Sequence, residues 1–178
     1  MQDANRRPII IVMGVAGAGK STIAARLAEV LECQLLEGDT LHPPANIEKM
    51  HAGIALTDVD RMPWLAAIAA VVDRWRASGQ AGVVTCSALK RAYRDMIVGE
   101  RPDMVLVHLT APDEVIRQRI MARRGHFMPS GLLDSQLASL EPPTPAENAI
   151  VVDVTGPPDE IVAEIVSLLR DRPTTAST

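Results

Sequence analysis

The chain has 178 residues, 47% of them hydrophobic, which suffices for one domain with a substantial core and leaves no room for two ordinary ones. A formal charge of −4 and only four aromatic residues, Trp64, Trp75, Tyr93 and Phe127, supply neither a basic footprint nor a stacking platform, so no nucleic-acid partner is expected. With no apolar run near the roughly 18 to 20 residues of a membrane span, no secretory signal in residues 1–8 and no C-x-x-C pairing of Cys33 with Cys86, a cytoplasmic protein with reduced thiols and no membrane partner is expected.

The first predicted strand is the apolar run Ile9, Ile10, Ile11, Val12, Met13, and it leads directly into Gly14-Val15-Ala16-Gly17-Ala18-Gly19-Lys20-Ser21. This fits G-x-x-x-x-G-K-[ST] in the strand-to-helix context that a phosphate-binding loop requires. The glycines let successive backbone N–H groups and the N-terminus of the next helix converge on one anion. Lys20 would add charge at the β- and γ-phosphates, and the Ser21 hydroxyl would take one Mg²⁺ position. The loop residues, together with Thr22, form the predicted ATP-binding set.

A helix over residues 20–32 follows, striped by Ile23, Leu27, Val30 and Leu31 at i, i+4, i+7, i+8. Residues 34–37 read as a strand ending in Gly38-Asp39-Thr40, which puts Asp39 at the sheet edge shared with the phosphate loop. Pro43-Pro44 opens a short helix over residues 46–51. Thr57 and Asp60 offer two caps for a long helix over residues 61–78, and Gly82 begins a third strand, residues 82–86, with Ser87 at its carboxyl end. Lys90 and Arg94 are i, i+4 neighbours on the next helix and are expected to face one crevice.

Residues 104–109 make a fourth strand, and Thr110-Ala111-Pro112-Asp113 has capping-box spacing ahead of a helix that carries Arg117, Arg119, Arg123 and Arg124. Residues 125–147, rich in Gly, Pro and Ser, are predicted to be mobile around one short helix over residues 132–140. A fifth strand over residues 149–154, a helix over residues 159–170 and a disordered tail over residues 171–178 complete the chain. Five apolar strands alternating with helices predict an α/β fold, a parallel sheet with helices on both faces.

A phosphoryl-transfer enzyme holds two substrates in line, neutralises the moving charge and excludes water. Here the loop would hold the donor, an insertion over residues 39–78 the acceptor, and a lid over residues 123–147 would close. No N-K-x-D motif is present for a GTPase. The third strand ends without a carboxylate, so Mg²⁺ would rest on Ser21, phosphate oxygens and water, with Asp39 one water away.

The motifs Gly38-Asp39-x-Leu41-His42-Pro43, Asn46-Ile47-x-Lys49-Met50, Asp60-Arg61-x-Pro63-Trp64-Leu65, Cys86-Ser87-Ala88-Leu89-Lys90 with Tyr93-Arg94-Asp95, and Gly125-His126-Phe127-Met128-Pro129 with Ser135-Gln136 and Leu140-Glu141 follow one another in order. Together they closely resemble the gluconokinases over nearly the whole chain. The resemblance implies transfer of the ATP γ-phosphoryl group to the 6-hydroxyl of D-gluconate, giving 6-phospho-D-gluconate and ADP. It implies a P-loop kinase fold similar to shikimate and nucleoside-monophosphate kinases, sheet order 2-3-1-4-5, a mobile lid and a homodimer.

By the same resemblance Asp39 would orient the acceptor hydroxyl and take its proton, and Arg61 would pair with the gluconate carboxylate in a fork that lysine cannot form. His42, Lys49, Ser87, Lys90, Arg94 and His126 are further substrate candidates. Arg119 and Arg123 would reach the phosphates or adenine, Arg123 in a catalytic role. Each has a plainer alternative: a loop cap for Asp39, solvated surface charge for the lysines and arginines, a structural ring for the histidines, and either a metal partner through water or a strand-end residue for Glu37. Ala55-Leu56 and the weakly acidic Thr57-Asp58-Val59-Asp60 depart from the family's usual pattern beside the acceptor pocket. Two other functions stay open, a same-fold kinase for shikimate or another sugar acid and a non-catalytic nucleotide-binding protein.

Overall fold

In the computed structural model, which describes residues 8–123 and 130–172, strand β1 (Ile9–Met13) is buried along its entire length. That burial follows from its place in the middle of a parallel sheet ordered β2-β3-β1-β4-β5, with β2 Gln34–Glu37, β3 Gly82–Thr85, β4 Met104–Thr110 and β5 Ile150–Asp153. The order matches the one implied by the resemblance. Successive β1 side chains leave on opposite faces, so two cores form. Ile10 and Val12 pack with Leu27, Val107 and Ile165 on one face, while Ile9, Ile11 and Met13 pack with Trp64, Leu65 and Ile68 on the other.

The first core is covered by α1 (Lys20–Leu31), α5 (Asp113–Ala122) and α7 (Pro158–Arg170), the second by α3 (Asp58–Ala77) and α4 (Arg91–Ile97). Helix α2 (Pro44–His51) lies between β2 and α3 in the chain, and α6 (Ser130–Ser139) follows α5. Register places Val12 opposite Thr85 and Leu36 opposite Val84, so the carboxyl ends of β1, β2 and β3 finish level with one another.

Three local expectations change. Helix α3 starts at Asp58, because Thr57 is the N-cap and Asp60 completes a reciprocal capping box with it; Pro63 therefore lies inside the helix. The Thr110 box does not form: Thr110 ends β4 and its hydroxyl donates to the Val152 carbonyl, while Pro112 precedes α5 without a side-chain cap. Part of the expected mobile stretch is anchored, since the Glu141 amide donates to the Leu89 carbonyl at 2.8 Å and Thr144 with Glu147 caps a one-turn 3-10 helix. Asp171 is the C-cap of α7 and the Arg172 guanidinium donates to the Asn148 carbonyl; residues 173–178 lie outside the described residues.

His108 in β4 is 4% exposed, and burial, reinforced by the Arg94 charge, holds its pKa below the ordinary 6.5. The unfolded chain therefore takes up this proton first as pH falls, and stability present above about pH 6.5 declines on acidification. Urea unfolding should give a smaller free energy at about pH 5.5 than at about pH 7.5, before the carboxylates titrate, and His108→Gln should reduce that difference.

Candidate active site

The loop between β1 and α1 turns through left-handed backbone at Gly17 and Gly19, with φ of 81° and 88°. A side chain at Gly17 would also strike Ile120, placing its Cβ 2.8 Å from Cγ1, so glycine is required there twice over. The Lys20 ammonium is held inward by the Gly14 and Val15 carbonyls, each at 3.0 Å. Desolvation lowers its pKa, opposed by the charge of Asp39 and assisted by that of Arg123. The Ala16 amide donates to Gln136 Oε1 at 2.8 Å, so a side chain of α6 accepts from an N–H that a phosphate oxygen would otherwise engage.

The side that carries Asp39 is built from β2 outward. Gly38 begins a one-turn 3-10 helix, Gly38–Leu41, packed so tightly on β3 that a Cβ would lie 2.1 Å from the Thr85 carbonyl. Its amide donates to Thr85 Oγ1 at 3.2 Å, and the Trp64 indole donates to its carbonyl at 2.8 Å. Asp39 follows on this fixed backbone, its side chain 77% exposed. Glu37 Oε2 accepts from Thr85 Oγ1 at 2.7 Å and from Ser21 Oγ at 3.1 Å, joining β2 and β3 to the start of α1.

These elements enclose a cavity of about 320 Å³ lined by Lys20, Ser21, Glu37 and Asp39, with Arg61 and Arg123 at its walls. His42 and Ser87 reach it as well. The phosphate-binding end and the carboxylate thus open onto one space. A family model described as an AAA domain matches residues 9–143. A gluconokinase of Gluconobacter oxydans (strain 621H) is 45% identical, with 88% of each chain covered. The chain belongs to the gluconokinase family. Among solved structures, a gluconokinase from Sinorhizobium meliloti 1021 is 45% identical, with 93% of each chain covered and a TM-score of 0.84. A sugar kinase from Janibacter sp. HTCC2649 is 43% identical, covering 96% of this chain and 99% of that one, with a TM-score of 0.87.

Several predicted site residues of this gluconokinase-family chain lie elsewhere. Lys49 pairs with Asp60 at 2.8 Å, and this bond, with those from Thr57, brings the Asp60 carboxyl down to about 2. Lys90 pairs with Asp58 at 2.8 Å, its ammonium 5.7 Å from the Tyr93 ring centroid. Arg119 donates to the Val154 carbonyl at the end of β5; α5 stops at Ala122, so Arg119 and Arg123 do not share a helix face. Thr22 is exposed, and Gly14, Val15 and Ala18 are buried; none of the four is among the residues that line the cavity. His126 and Arg124 lie outside the described residues. Gln136 and Thr85 enter the site without having been singled out as site residues, the signals being the Ser135-Gln136 motif and the end of β3; Glu37, weighed above as a metal partner or a strand-end residue, lines the cavity as well.

Arg94 is the clearest correction. Its side chain is 2% exposed, donates to Glu147 Oε1 at 3.0 Å and to the Ala88, Leu89 and Glu141 carbonyls, and binds the segment after α6 to α4. It does not line the cavity, and its guanidinium is engaged by protein acceptors instead. Arg94→Lys removes the fork and leaves the 7%-exposed Glu147 poorly compensated. Chemical denaturation should show a loss of about 3 kcal/mol, while KM for the acceptor in the folded variant should stay within about twofold of wild type.

Proposed function

We propose that this chain transfers the γ-phosphoryl group of ATP to the 6-hydroxyl of D-gluconate, giving 6-phospho-D-gluconate and ADP. The observation that carries the proposal is that Lys20, Asp39 and Arg61 line one and the same cavity. In the reaction the acceptor oxygen bonds to the γ-phosphorus as the bond to the β–γ bridging oxygen breaks. The hydroxyl proton passes to Asp39, and ADP leaves with the bridging oxygen's electron pair. Lys20, released from the Gly14 and Val15 carbonyls by the incoming phosphates, would neutralise charge on them, and Arg123 would approach the transferring group. The Arg61 guanidinium suits a carboxylate at the far end of a polyol chain.

Oxygen donors at Ser21 and Glu37 fit Mg²⁺, which when bound would shield the phosphate charge; Ser21 would hold it directly and Glu37 through water. Gln136 would give up the Ala16 amide as nucleotide enters, making α6 the part of the lid nearest the phosphates. The family resemblance supports a homodimer and a cytoplasmic location. No described helix is long and apolar enough to cross a membrane.

A panel of D-gluconate, other sugar acids, shikimate and nucleoside monophosphates, assayed with Mg²⁺-ATP, should give the highest kcat/KM with gluconate; a preference for another acceptor would overturn the substrate, and no turnover of any would leave a nucleotide-binding protein. Lys20→Ala should lower kcat by about a hundredfold or more while circular dichroism stays unchanged, because the lost charge acts on the transferring phosphoryl group. Asp39→Asn keeps shape and removes the proton acceptor, so steady-state kinetics should show kcat falling further than KM for gluconate rises.

A further inference from the structure

The Asp39 carboxylate stands 77% exposed, and among the described residues the side chain within ion-pair distance of it is His42, whose Nε2 lies 3.9 Å from Oδ1. His42 is itself 7% exposed, an unusual position for a ring at the mouth of a polar cavity. Its surroundings determine which nitrogen carries the proton. Asn46 Nδ2 donates to the Asp60 backbone carbonyl at 2.8 Å, and a carbonyl oxygen can only accept, so the atom facing it is the amide nitrogen and not the amide oxygen. The same Nδ2 lies 3.3 Å from His42 Nδ1 and, being an NH2 nitrogen, has only a second hydrogen to offer it. Nδ1 must therefore accept, which leaves the ring proton on Nε2, the nitrogen turned toward Asp39.

The ring is also held in place. It stacks on Trp64 with centroids 4.2 Å apart and planes 15° from parallel, and Trp64 is pinned through its indole to the carbonyl of Gly38, the residue before Asp39. The ring and the carboxylate are thus referenced to the same indole. Turning the imidazole over would replace Nδ1 by a carbon and strand the Asn46 donor. Burial is the chief reason that the ring's pKa lies below 6.5, with Asp39 opposing and Arg61 assisting, so the ring is neutral at physiological pH.

We propose that His42 is a positioning residue: fixed by Asn46 as the neutral Nε2–H tautomer, it holds one oxygen of Asp39 and turns the other toward the acceptor hydroxyl. The proposal rests on the assignment of Asp39 as proton acceptor. At 3.9 Å the N–H orients the carboxylate by charge–dipole attraction, and the distance shortens to a hydrogen bond when substrate orders Asp39, as catalytic hydrogen bonds commonly do on complex formation. A neutral donor suits this task, because an imidazolium would stabilise the carboxylate and weaken it as a base. Asn46, which touches neither substrate nor Asp39, acts at one further remove.

Two measurements decide it. Long-range proton–nitrogen NMR correlations on the ¹⁵N-labelled full-length protein near neutral pH should show His42 with Nδ1 unprotonated and Nε2 protonated, and Asn46→Asp, which offers Nδ1 an acceptor, should reverse the tautomer. In turnover, His42→Gln, whose amide nitrogen reaches the Nε2 position, should keep at least about a third of wild-type kcat. His42→Asn, whose amide reaches only the Nδ1 position, should lose about tenfold or more in kcat with KM for ATP within about twofold. An Nδ1–H tautomer, an imidazolium at neutral pH, or equal kcat for the two variants would overturn the proposal. If the wild-type protein fails to phosphorylate gluconate, the substrate assignment falls on its own, and the nitrogen spectrum still decides the state of His42.

Discussion

The hydroxyl of Thr85 is the junction on which the site depends. It accepts the Gly38 amide and donates to Glu37, which in turn accepts the Ser21 hydroxyl, so one buried oxygen links β3, the end of β2 and the start of α1. The backbone of β2 and β3 can come this close only because Gly38 has no side chain to meet the Thr85 carbonyl. The phosphate loop and Asp39, nearly twenty positions apart in the chain, are thereby tied to one junction through Ser21 and Gly38. Such preorganisation matters because phosphoryl transfer asks the protein mainly for position and charge.

The distribution of cations follows from competition among carboxylates. Asp60, Asp58 and Glu147 lie close to Lys49, Lys90 and Arg94, and each short pair satisfies a cation within the protein. The exposed pairs contribute little to stability, whereas the Arg94–Glu147 pair, shielded from water, organises the connection from α6 to β5. Among the described residues, Lys20, Arg61 and Arg123 are the lysine and arginine side chains at the cavity wall. These positive groups, with an exposed carboxylate at Asp39 and a second at Glu37 engaged by hydroxyls, suit two anionic substrates that meet end to end.

Trp64 gives α3 a second task beyond filling the core. Its indole is fully buried, yet it fixes the Gly38 carbonyl and supports the His42 ring, so the long helix sets the geometry of residues far from its own exposed face. The capping box that starts α3 at Asp58 brings the Asp60 carbonyl within reach of Asn46, linking a helix start to the orientation of a histidine. Local backbone chemistry at Thr57 is in this way coupled to the cavity through three contacts, Thr57 to Asp60, Asp60 to Asn46 and Asn46 to His42.

By itself the sequence determined the phosphate loop, the five strands and the class of fold, because glycine spacing and apolar periodicity are local properties read along one segment at a time. The motif order was also enough to identify the family. Only the tertiary structure decided which charged groups serve the cavity. Arg94 and Arg61 read alike in sequence, as basic residues on helices near motif positions, and differ because Glu147, more than fifty residues beyond Arg94, comes back to pair with it. Likewise Arg123 parts from Arg119 because α5 ends one residue before it, and Gln136 meets Ala16 across 120 positions. Pairing between distant side chains depends on where the sheet brings their backbones, and no periodicity within a segment encodes that.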